Sequence, residues 1–365
     1  MKRLWAIVIA GILVGGGIAF WLLTTDSPEL AEPAFGGDTT TPNTASEFTS
    51  NEIATLSSVR RITDHPFYTM HFVGSYRNEI EERGDRMSKV SPYFRPQVGE
   101  FDFACSLFAA AQVDGGFLFG RNFDWSYHPI LLLFTDPDDG YASVSFVDLT
   151  YFVSAALLET LDEVPIESRA GLLGAPYAPF DGMNERGLVV GMAAIPSARM
   201  PIDPTKGSRG SVAVIRDMLD YAATVGEAID ILTSVNVIMT GGPDIHYLIA
   251  DTEGQSAIVE FADGVTHIFR PETAWQHMTN FRLADVQTSD RQEACWRYAT
   301  LSAALQEADG QLNSEEAMHL LESVKQASTT RPSGTLWSAV YEMDTNTVRV
   351  AIRQRFDEIH TFRLP

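Results

Sequence analysis

Short apolar strands separated by turn signals make up much of the chain after residue 105, and helical periodicity occurs in separate blocks. The pattern predicts strands over Ser106–Ala111, Phe117–Asn122, Ala142–Val147, Gly187–Ala194, Tyr247–Ala250, Ala257–Phe261, Thr335–Glu342 and Thr347–Arg353. It predicts helices over Ser211–Thr224, Val225–Val235, Arg291–Ala308 and Ser314–Gln326. Strict alternation of strands and helices would indicate a parallel sheet, whereas this block order favours an α+β fold with largely antiparallel sheets.

The composition indicates a globular protein with a large core. The chain has 365 residues, of which 45% are hydrophobic, and its 26 basic and 48 acidic residues give a net charge of −22. This charge repels phosphate backbones and leaves no basic stripe on the surface. We therefore exclude nucleic acid as a partner.

The N-terminus has the pattern of a membrane anchor or an export signal. Lys2 and Arg3 precede the uncharged segment Leu4–Leu23, which is long enough to cross a bilayer as a helix. A signal anchor is favoured over a cleaved signal peptide, because export signals usually have shorter apolar runs. In both cases the rest of the chain lies outside the cytoplasm, either anchored to the membrane or secreted.

Composition divides the chain into four segments. Residues 1–23 are the predicted signal, and residues 24–50, rich in Thr, Ser, Pro and Gly, are typical of a flexible linker. Residues 51–104 form an N-terminal segment with an amphipathic helical stretch at about Tyr76–Val90. Residues 105–365 contain the predicted sheets and form the main folded domain.

Standard catalytic signatures do not occur in this sequence. It has no Gly-x-Ser-x-Gly elbow, no His-Glu-x-x-His, no phosphate-binding loop and no Gly-x-Gly-x-x-Gly that opens a helix. The eight histidines show no spacing typical of a metal site. We therefore expect neither a metal nor a cofactor.

Cys105, one of two cysteines, lies at the start of a predicted strand and is a candidate nucleophile. A cysteine nucleophile normally uses a histidine base, and His246, His267 and His277 are candidates for a histidine-assisted cysteine peptidase. Alternatively, cleavage after Ala104 would place a free α-amine on the same residue as the thiol. The pKa of such an amine, about 7.7–8.0, suits a group that takes up and returns a proton near neutral pH.

The residues after Cys105 resemble a known enzyme family. Arg121 follows Cys105 by sixteen positions in a Gly-Arg-Asn triplet, and Asp124 follows it by nineteen. This spacing is similar to that of the N-terminal-nucleophile hydrolases of the choloylglycine hydrolase and penicillin V acylase group, which includes relatives of acid ceramidase and N-acylethanolamine amidase. The resemblance extends to about residue 353 through Asp181-Gly-Met-Asn184-Glu-Arg-Gly-Leu188, Met278-Thr279-Asn280 and Arg297.

The resemblance implies self-cleavage and a cysteine nucleophile. Cleavage between Ala104 and Cys105 would expose both the thiol and its α-amine. Arg121 would stabilise the thiolate by its fixed positive charge, and Asp124 would accept hydrogen bonds from the α-ammonium group. Arg297 would link Asp124 and the thiol in one charged network.

The resemblance also implies an oxyanion hole. The side-chain N–H of Asn280 and a backbone N–H near Ala194 would stabilise the tetrahedral oxyanion. Relatives that hydrolyse bile salts or penicillin V have Asn or Tyr where this chain has Ala194, which weakens the transfer of either substrate. Asn184-Glu-Arg-Gly187 is expected to be a tight turn that aims the following strand.

The apolar stretch Trp125–Phe134 has two interpretations. It would line a pocket for an apolar acyl group through Trp125, His128 and Phe134, or it would contain a buried strand at Ile130–Phe134. His128 itself fits a loop position better than an acid–base role.

The two cysteines give no geometric reason for a disulfide between them. A small buried hydrophobe is the simplest role for a free cysteine. This role fits Cys295, inside a predicted helix, better than Cys105.

Together these features predict a four-layer αββα sandwich of the N-terminal-nucleophile type. The predicted activity is cysteine-dependent hydrolysis of linear N-acyl amide C–N bonds, with a small-molecule amide as substrate. Two alternatives remain open: an acyltransferase that uses the same thioester, and an inactive, tethered extracellular binding module.

Overall fold

The computed structural model describes residues 48–76, 104–239, 242–327 and 333–364. The predicted signal, nearly all of the linker and residues 77–90 of the amphipathic stretch lie outside these ranges. Within them, no helix is both long enough and apolar enough to cross a membrane.

The strands of the described residues are numbered in chain order. They are β1 (Arg60–Thr63), β2 (Phe67–Phe72), β3 (Ser106–Gln112), β4 (Phe117–Ser126), β5 (Ile130–Thr135), β6 (Ser143–Asp148), β7 (Asp181–Asn184), β8 (Val189–Ile195), β9 (Ser208–Gly210), β10 (Asn236–Ile238), β11 (Asp244–Ala250), β12 (Ser256–Ala262), β13 (Val265–Phe269), β14 (Gln276–Met278), β15 (Gln311–Leu312), β16 (Ser333–Glu342), β17 (Thr347–Ile352) and β18 (Ile359–Arg363). Each predicted strand corresponds to one of these, with ends that differ by a few residues.

The α-helices of the same ranges are α1 (Ser50–Ser57), α2 (Ala213–Tyr221), α3 (Val225–Ser234), α4 (Arg291–Ala294), α5 (Trp296–Glu307) and α6 (Ser314–Ser323). A long 3-10 segment covers Ile166–Tyr177. Three helices begin at capping boxes. In each, the side chain of the N-cap residue accepts from the backbone N–H of a glutamate three positions later, and the side chain of that glutamate accepts from the N-cap backbone N–H. The pairs are Thr49 with Glu52, Thr224 with Glu227 and Asn313 with Glu316.

One predicted helix is wrong in its continuity. The stretch 291–308 breaks at Cys295, whose extended backbone separates α4 from α5. The expected burial of the two cysteines is reversed as well, because Cys295 is half-buried and Cys105 is buried. Both are free thiols.

The strands form two large sheets, and nearly all neighbours pair antiparallel. The larger sheet has the order β1-β2-β5-β6-β7-β8-β11-β12-β13, in which only β2 and β5 run parallel. The smaller sheet has the order β14-β3-β4-β16-β17-β18, with β15 pairing parallel to β3. The α+β class and the antiparallel sheets predicted from the sequence are confirmed.

Two glycines show on which faces of the larger sheet its neighbours lie. A Cβ atom on Gly191 would meet Leu107 of the smaller sheet at 2.6 Å. Gly182 pairs with Val190, so it faces the opposite way, and a Cβ atom there would meet Leu219 of α2 at 2.9 Å. The smaller sheet and α2 therefore cover opposite faces of the larger sheet.

The smaller sheet is also covered on both faces. Alternate residues of its strands point in opposite directions. Leu107 and Phe119 join the core between the sheets, whereas the adjacent Phe108 and Leu118 pack on α5 and α6. The layers therefore run helix, sheet, sheet, helix, the order implied by the resemblance.

The N-terminal segment is part of the larger sheet as far as residue 76. β2 pairs with β5 along its whole length, and Tyr68 and Met70 share a core with Leu131 and Leu133. Buried Tyr76 donates from its hydroxyl to Asp220 at 2.7 Å. These contacts bury the segment in the same fold as the residues after 105.

The crowding around Gly182 predicts a stability effect. In Gly182→Ala the new methyl group would lie 2.5 Å from the backbone oxygen of Val144, which cannot move without distorting β6. We expect a loss of about 1–3 kcal/mol in the free energy of unfolding, measured by chemical denaturation. Gly207→Ala is the matched control, because nothing lies within 4 Å of its added Cβ atom. Equal stability of both variants would contradict this account of the packing.

Candidate active site

Cys105 lies one residue before β3, at the end of the smaller sheet. β3 and β4 form a hairpin in which Leu107 is opposite Arg121 and Ser106 is opposite Asn122. The spacing of sixteen residues between Cys105 and Arg121 is thus the length of one hairpin, which returns Arg121 toward the cysteine. The side chain of Cys105 is 2% exposed.

Arg297 links the parts of the site. It lies in the first turn of α5, and its Nη1 donates to the carbonyl of Ala104 at 2.8 Å and to the hydroxyl oxygen of Ser106 at 3.0 Å. The same nitrogen donates to the carbonyl of Cys105. Arg297 therefore binds both sides of the Ala104–Cys105 peptide bond.

The second guanidinium nitrogen of Arg297 fixes Asn280. Its Nη2 donates to Asn280 Oδ1 at 3.0 Å, and Asn280 Nδ2 donates to the carbonyl of Ala194 at 2.8 Å. A guanidinium only donates and a carbonyl only accepts, so the orientation of the Asn280 amide is determined. One of the two Nδ2 hydrogens is used by Ala194, and the other is available to a ligand.

Arg121 is held by the carboxylate of Asp181, a residue of the Asp-Gly-Met-Asn segment. Its Nη1 lies 2.6 Å from Asp181 Oδ2, with both side chains fully buried, and donates to the carbonyl of Phe180 at 3.0 Å. Asp181 also accepts from Trp337 Nε1 at 3.3 Å and from the hydroxyl of Tyr341. Asp181 is a charged residue in a fully buried strand, and that is the signal that could have revealed it.

The two carboxylate oxygens of Asp124 differ in their hydrogen bonds. Oδ1 accepts from Thr335 Oγ1 at 2.5 Å, whereas buried Oδ2 has no hydrogen-bond partner among the described residues. The register between β4 and β16 shifts between Thr335 and Trp337, and such a bulge re-aims side chains. Burial raises the pKa of Asp124 to about 7, against the opposing effects of Thr335 and Arg297. No motif in the sequence pointed to Thr335.

The thiol of Cys105 is close to charged groups but removed from water. Burial raises the pKa of the Cys105 thiol above its ordinary value, and the charge of Asp124 adds to the rise. Arg121 and Arg297 act in the opposite direction, as does a hydrogen bond to the backbone of Asp124. Burial outweighs the effect of the two arginines, so the thiol is favoured in its neutral form.

An apolar pocket opens beside Cys105. Its cavity volume is about 60 Å³, and its lining includes Phe123, Trp125, Tyr151, Ala178, Phe180, Met192, Ala194, Ser211, Val212 and Ile245. Trp125 and Ala194 are therefore next to the predicted nucleophile, as expected.

Two predicted pocket residues lie elsewhere. His128 lies in the short loop before β5, and its Nδ1 hydrogen-bonds to Asp148 at the end of β6. Phe134 is part of β5, whose residues are buried in the larger sheet, where it stacks on His71 at 4.6 Å. The assignment of His128 and Phe134 to the pocket was wrong. Phe134 belongs to a buried strand, which is the alternative interpretation of this stretch, and His128 contacts Asp148 from the loop before that strand.

The three candidate histidine bases have other contacts. His246 hydrogen-bonds to Glu260 and to the carbonyl of Thr279. His277 packs on Tyr298 with ring centroids 4.1 Å apart, and His267 stacks on Phe269 at 6.2 Å. Among the described residues, no hydrogen bond joins any of these histidines to Cys105.

Solved structures with a similar fold include a variant of the conjugated bile acid hydrolase from Clostridium perfringens, with a TM-score of 0.55 and 15% identity over 71% of this chain and 92% of that chain. The penicillin V acylase from Agrobacterium tumefaciens matches with a TM-score of 0.47 and 19% identity over 68% of this chain and 83% of that chain. At 15% identity, the likeness to the hydrolase shows a shared fold.

A family model gives the relationship at the level of sequence. The model, described as acyl-coenzyme A:6-aminopenicillanic acid acyl-transferase, matches residues 170–356. The match includes Asp181, Asn280 and Arg297, begins after Cys105, and spans just over half of the chain. The protein therefore belongs to the acyl-coenzyme A:6-aminopenicillanic acid acyl-transferase family.

Proposed function

We propose that this protein is a self-processing cysteine amidohydrolase that cleaves linear N-acyl amides through an acyl thioester on Cys105. The observation that carries the proposal is the hydrogen bond from Arg297 to the carbonyl of Ala104, at 2.8 Å. A cation bound to that oxygen would stabilise the negative charge that develops there when the adjacent thiol attacks. The fold of the bile acid hydrolase and the family match support this function.

Self-cleavage follows from the position of the thiol next to this carbonyl. The sulfur of Cys105 attacks the carbonyl carbon of Ala104, the C–N bond breaks, and the amide nitrogen takes up a proton to become the α-amine. Water then hydrolyses the Ala104 thioester, which yields a carboxylate and a free thiol. The products are an N-terminal fragment ending at Ala104 and a fragment beginning at Cys105.

The new α-amine supplies the base for substrate hydrolysis. It takes the proton of the thiol, the thiolate attacks the substrate carbonyl, and the ammonium returns the proton to the departing amine. Among the described residues, the buried Oδ2 of Asp124 has no hydrogen-bond partner, so it is available to accept from the ammonium group. Water then hydrolyses the acyl thioester with the α-amine as base.

The oxyanion of the substrate would be stabilised from the Asn280 side. The amide of Asn280 is oriented by Arg297 and Ala194, which leaves one N–H free. We propose that this N–H, with a backbone N–H near Ala194, contacts the oxyanion.

The pocket supports an apolar acyl group. A cavity of about 60 Å³ holds roughly four to six water-sized groups, since one such group needs about 10–15 Å³. Its wall is mainly aromatic and aliphatic, with Tyr151 and Ser211 as polar exceptions. We propose an amide with a short or slender apolar acyl group as substrate.

Acyl transfer is a second candidate, favoured by the name of the matching family. The acyl thioester would be the same, and an amine would replace water as the acceptor. Addition of a primary amine to the assay separates the two, since a transferase forms the new amide at the expense of the free acid.

We further propose that the enzyme acts outside the cytoplasm, held to the membrane by residues 1–23 or secreted. This proposal is supported by the charge pattern and by the uncharged segment Leu4–Leu23. The contacts of β2 with β5 support a second proposal, that the N-terminal fragment stays bound after cleavage.

Replacement of the nucleophile tests the function directly. Purified protein is expected to give two bands on a denaturing gel, and sequencing of the larger fragment should begin Cys-Ser-Leu-Phe. Cys105→Ala should remain uncut and should lose hydrolysis across a panel of N-acyl amides that differ in acyl length. Cys295→Ala is the control and should keep both activities. An uncut wild-type chain with full activity would contradict self-processing.

Retention of the N-terminal fragment is a separate prediction. Cleaved protein should elute as one peak of about 40 kDa or less from size exclusion without denaturant, with both fragments in it. Separation of the fragments would require β2 to leave the sheet and expose Tyr68 and Met70 to water. Elution of the fragments in different peaks would refute retention.

The raised pKa of Asp124 predicts how stability depends on pH. In the uncut chain the pKa is about 7, compared with about 3.9 when unfolded, so ionisation of this group destabilises the fold progressively between these values. In the uncut Cys105→Ala chain, Asp124→Asn should therefore raise the unfolding temperature at pH 8 and change it little at pH 4. The measurement is thermal unfolding by circular dichroism. A shift of equal size at both pH values would show that the effect is unrelated to ionisation.

A further inference from the structure

A buried histidine–glutamate pair lies outside the pocket and the residues that contact Cys105. His246 is in β11 and Glu260 is in the neighbouring β12, and both are fully buried. His246 Nδ1 lies 2.8 Å from Glu260 Oε1, and its Nε2 lies 2.7 Å from the carbonyl oxygen of Thr279. Neither residue is part of the pocket lining beside Cys105.

The partners of the ring fix its orientation. The carbonyl of Thr279 only accepts, so Nε2 of His246 carries a hydrogen. Glu260 already accepts from the backbone N–H groups of Leu283 at 2.9 Å and Ala284 at 3.1 Å, as an ionised carboxylate does. Nδ1 faces Glu260 Oε1, so the imidazole ring connects the Thr279 carbonyl to the Glu260 carboxylate.

The state of Glu260 agrees with these contacts. Burial raises the pKa of a carboxyl group, but here the hydrogen bond and charge of His246, with the two backbone donors, outweigh it and lower the pKa of Glu260. Removal of one partner from such a buried pair leaves the other without its hydrogen bond inside the protein and strongly destabilises the fold.

The pair binds the chain on both sides of Asn280. Thr279 directly precedes Asn280, and Leu283 and Ala284 begin the 3-10 helix that follows. His246 thus holds the backbone before Asn280, and Glu260 holds the backbone after it. Arg297 and Ala194 orient the side chain of Asn280 itself.

We propose that His246 and Glu260 are positioning residues that hold the Thr279–Ala284 loop and so fix Asn280 as the oxyanion donor. This inference rests on the proposed hydrolase function and extends it to two residues without contact to the substrate. A displaced donor weakens binding of the transition state more than binding of the substrate, because the oxyanion forms only on reaction. The acyl pocket does not include the pair, so substrate affinity is preserved.

The test uses Glu260→Gln and His246→Gln in the full chain, with the exposed His319→Gln as the matched control. We expect kcat to fall about a hundredfold in the first two variants, with KM within about twofold of wild type and the alkylation rate of Cys105 by iodoacetamide unchanged. His319→Gln should retain wild-type kcat, since its side chain is 69% exposed on α6. Wild-type kcat in Glu260→Gln and His246→Gln would overturn the proposal while leaving the hydrolase function intact.

A second measurement works without catalysis. In wild-type protein labelled with ¹⁵N-histidine, Nε2 of His246 should carry a hydrogen bonded to the Thr279 carbonyl, and an Nε2 without a hydrogen would overturn the proposal. Hydrogen exchange of the amides of residues 279–284 should be faster in Glu260→Gln than in wild type, and unchanged exchange would also overturn it. A wild-type protein that hydrolyses no amide while passing both tests would refute the proposed function and leave the structural role of the pair standing.

Discussion

A fully buried ion pair between Arg121 and Asp181 joins the two sheets at the point where the site forms. Arg121 belongs to the smaller sheet and Asp181 to the larger, so the pair fixes one sheet against the other. It also holds the positive charge of Arg121 near the thiol of Cys105. Two buried charges lose much hydration, and such pairs persist where further hydrogen bonds compensate. Tyr341 and Trp337 supply these bonds to Asp181, and the ring of Phe123 lies 4.8 Å from the guanidinium carbon of Arg121.

The polar groups of the site come from chain segments that are far apart in sequence. The hairpin β3–β4 brings Cys105 and Asp124, the loop after β14 brings Asn280, and α5 brings Arg297. Each is at the end of a rigid element. The hydrogen bonds of Arg297 connect α5 to the start of β3 and to the loop after β14. The geometry therefore depends on the packing of the two sheets and the outer helices as a whole.

The same site reduces the stability of the uncut chain. Asp124 is buried, and burial raises the pKa of its carboxyl group to about 7, so its ionisation near neutral pH costs stability. The open position at Asp124 Oδ2 suits the ammonium group that the proposed cleavage would create. Under this proposal, cleavage supplies an ammonium donor to a carboxylate whose pKa is raised by burial, which links maturation of the enzyme to relief of an electrostatic cost.

The sequence by itself determined the fold class, the strands around Cys105 and the grouping of Cys105, Arg121 and Asp124, because these depend on local periodicity and on the length of one hairpin. It did not reveal Asp181 as the partner of Arg121, Thr335 on Asp124, or the pair behind Asn280. It also assigned His128 and Phe134 to the pocket, because an apolar run alone does not distinguish a buried strand from a pocket wall. Only the tertiary structure decided these points. The partner of a buried charge lies on an element that packs beside it, and local sequence does not determine the order of strands in a sheet.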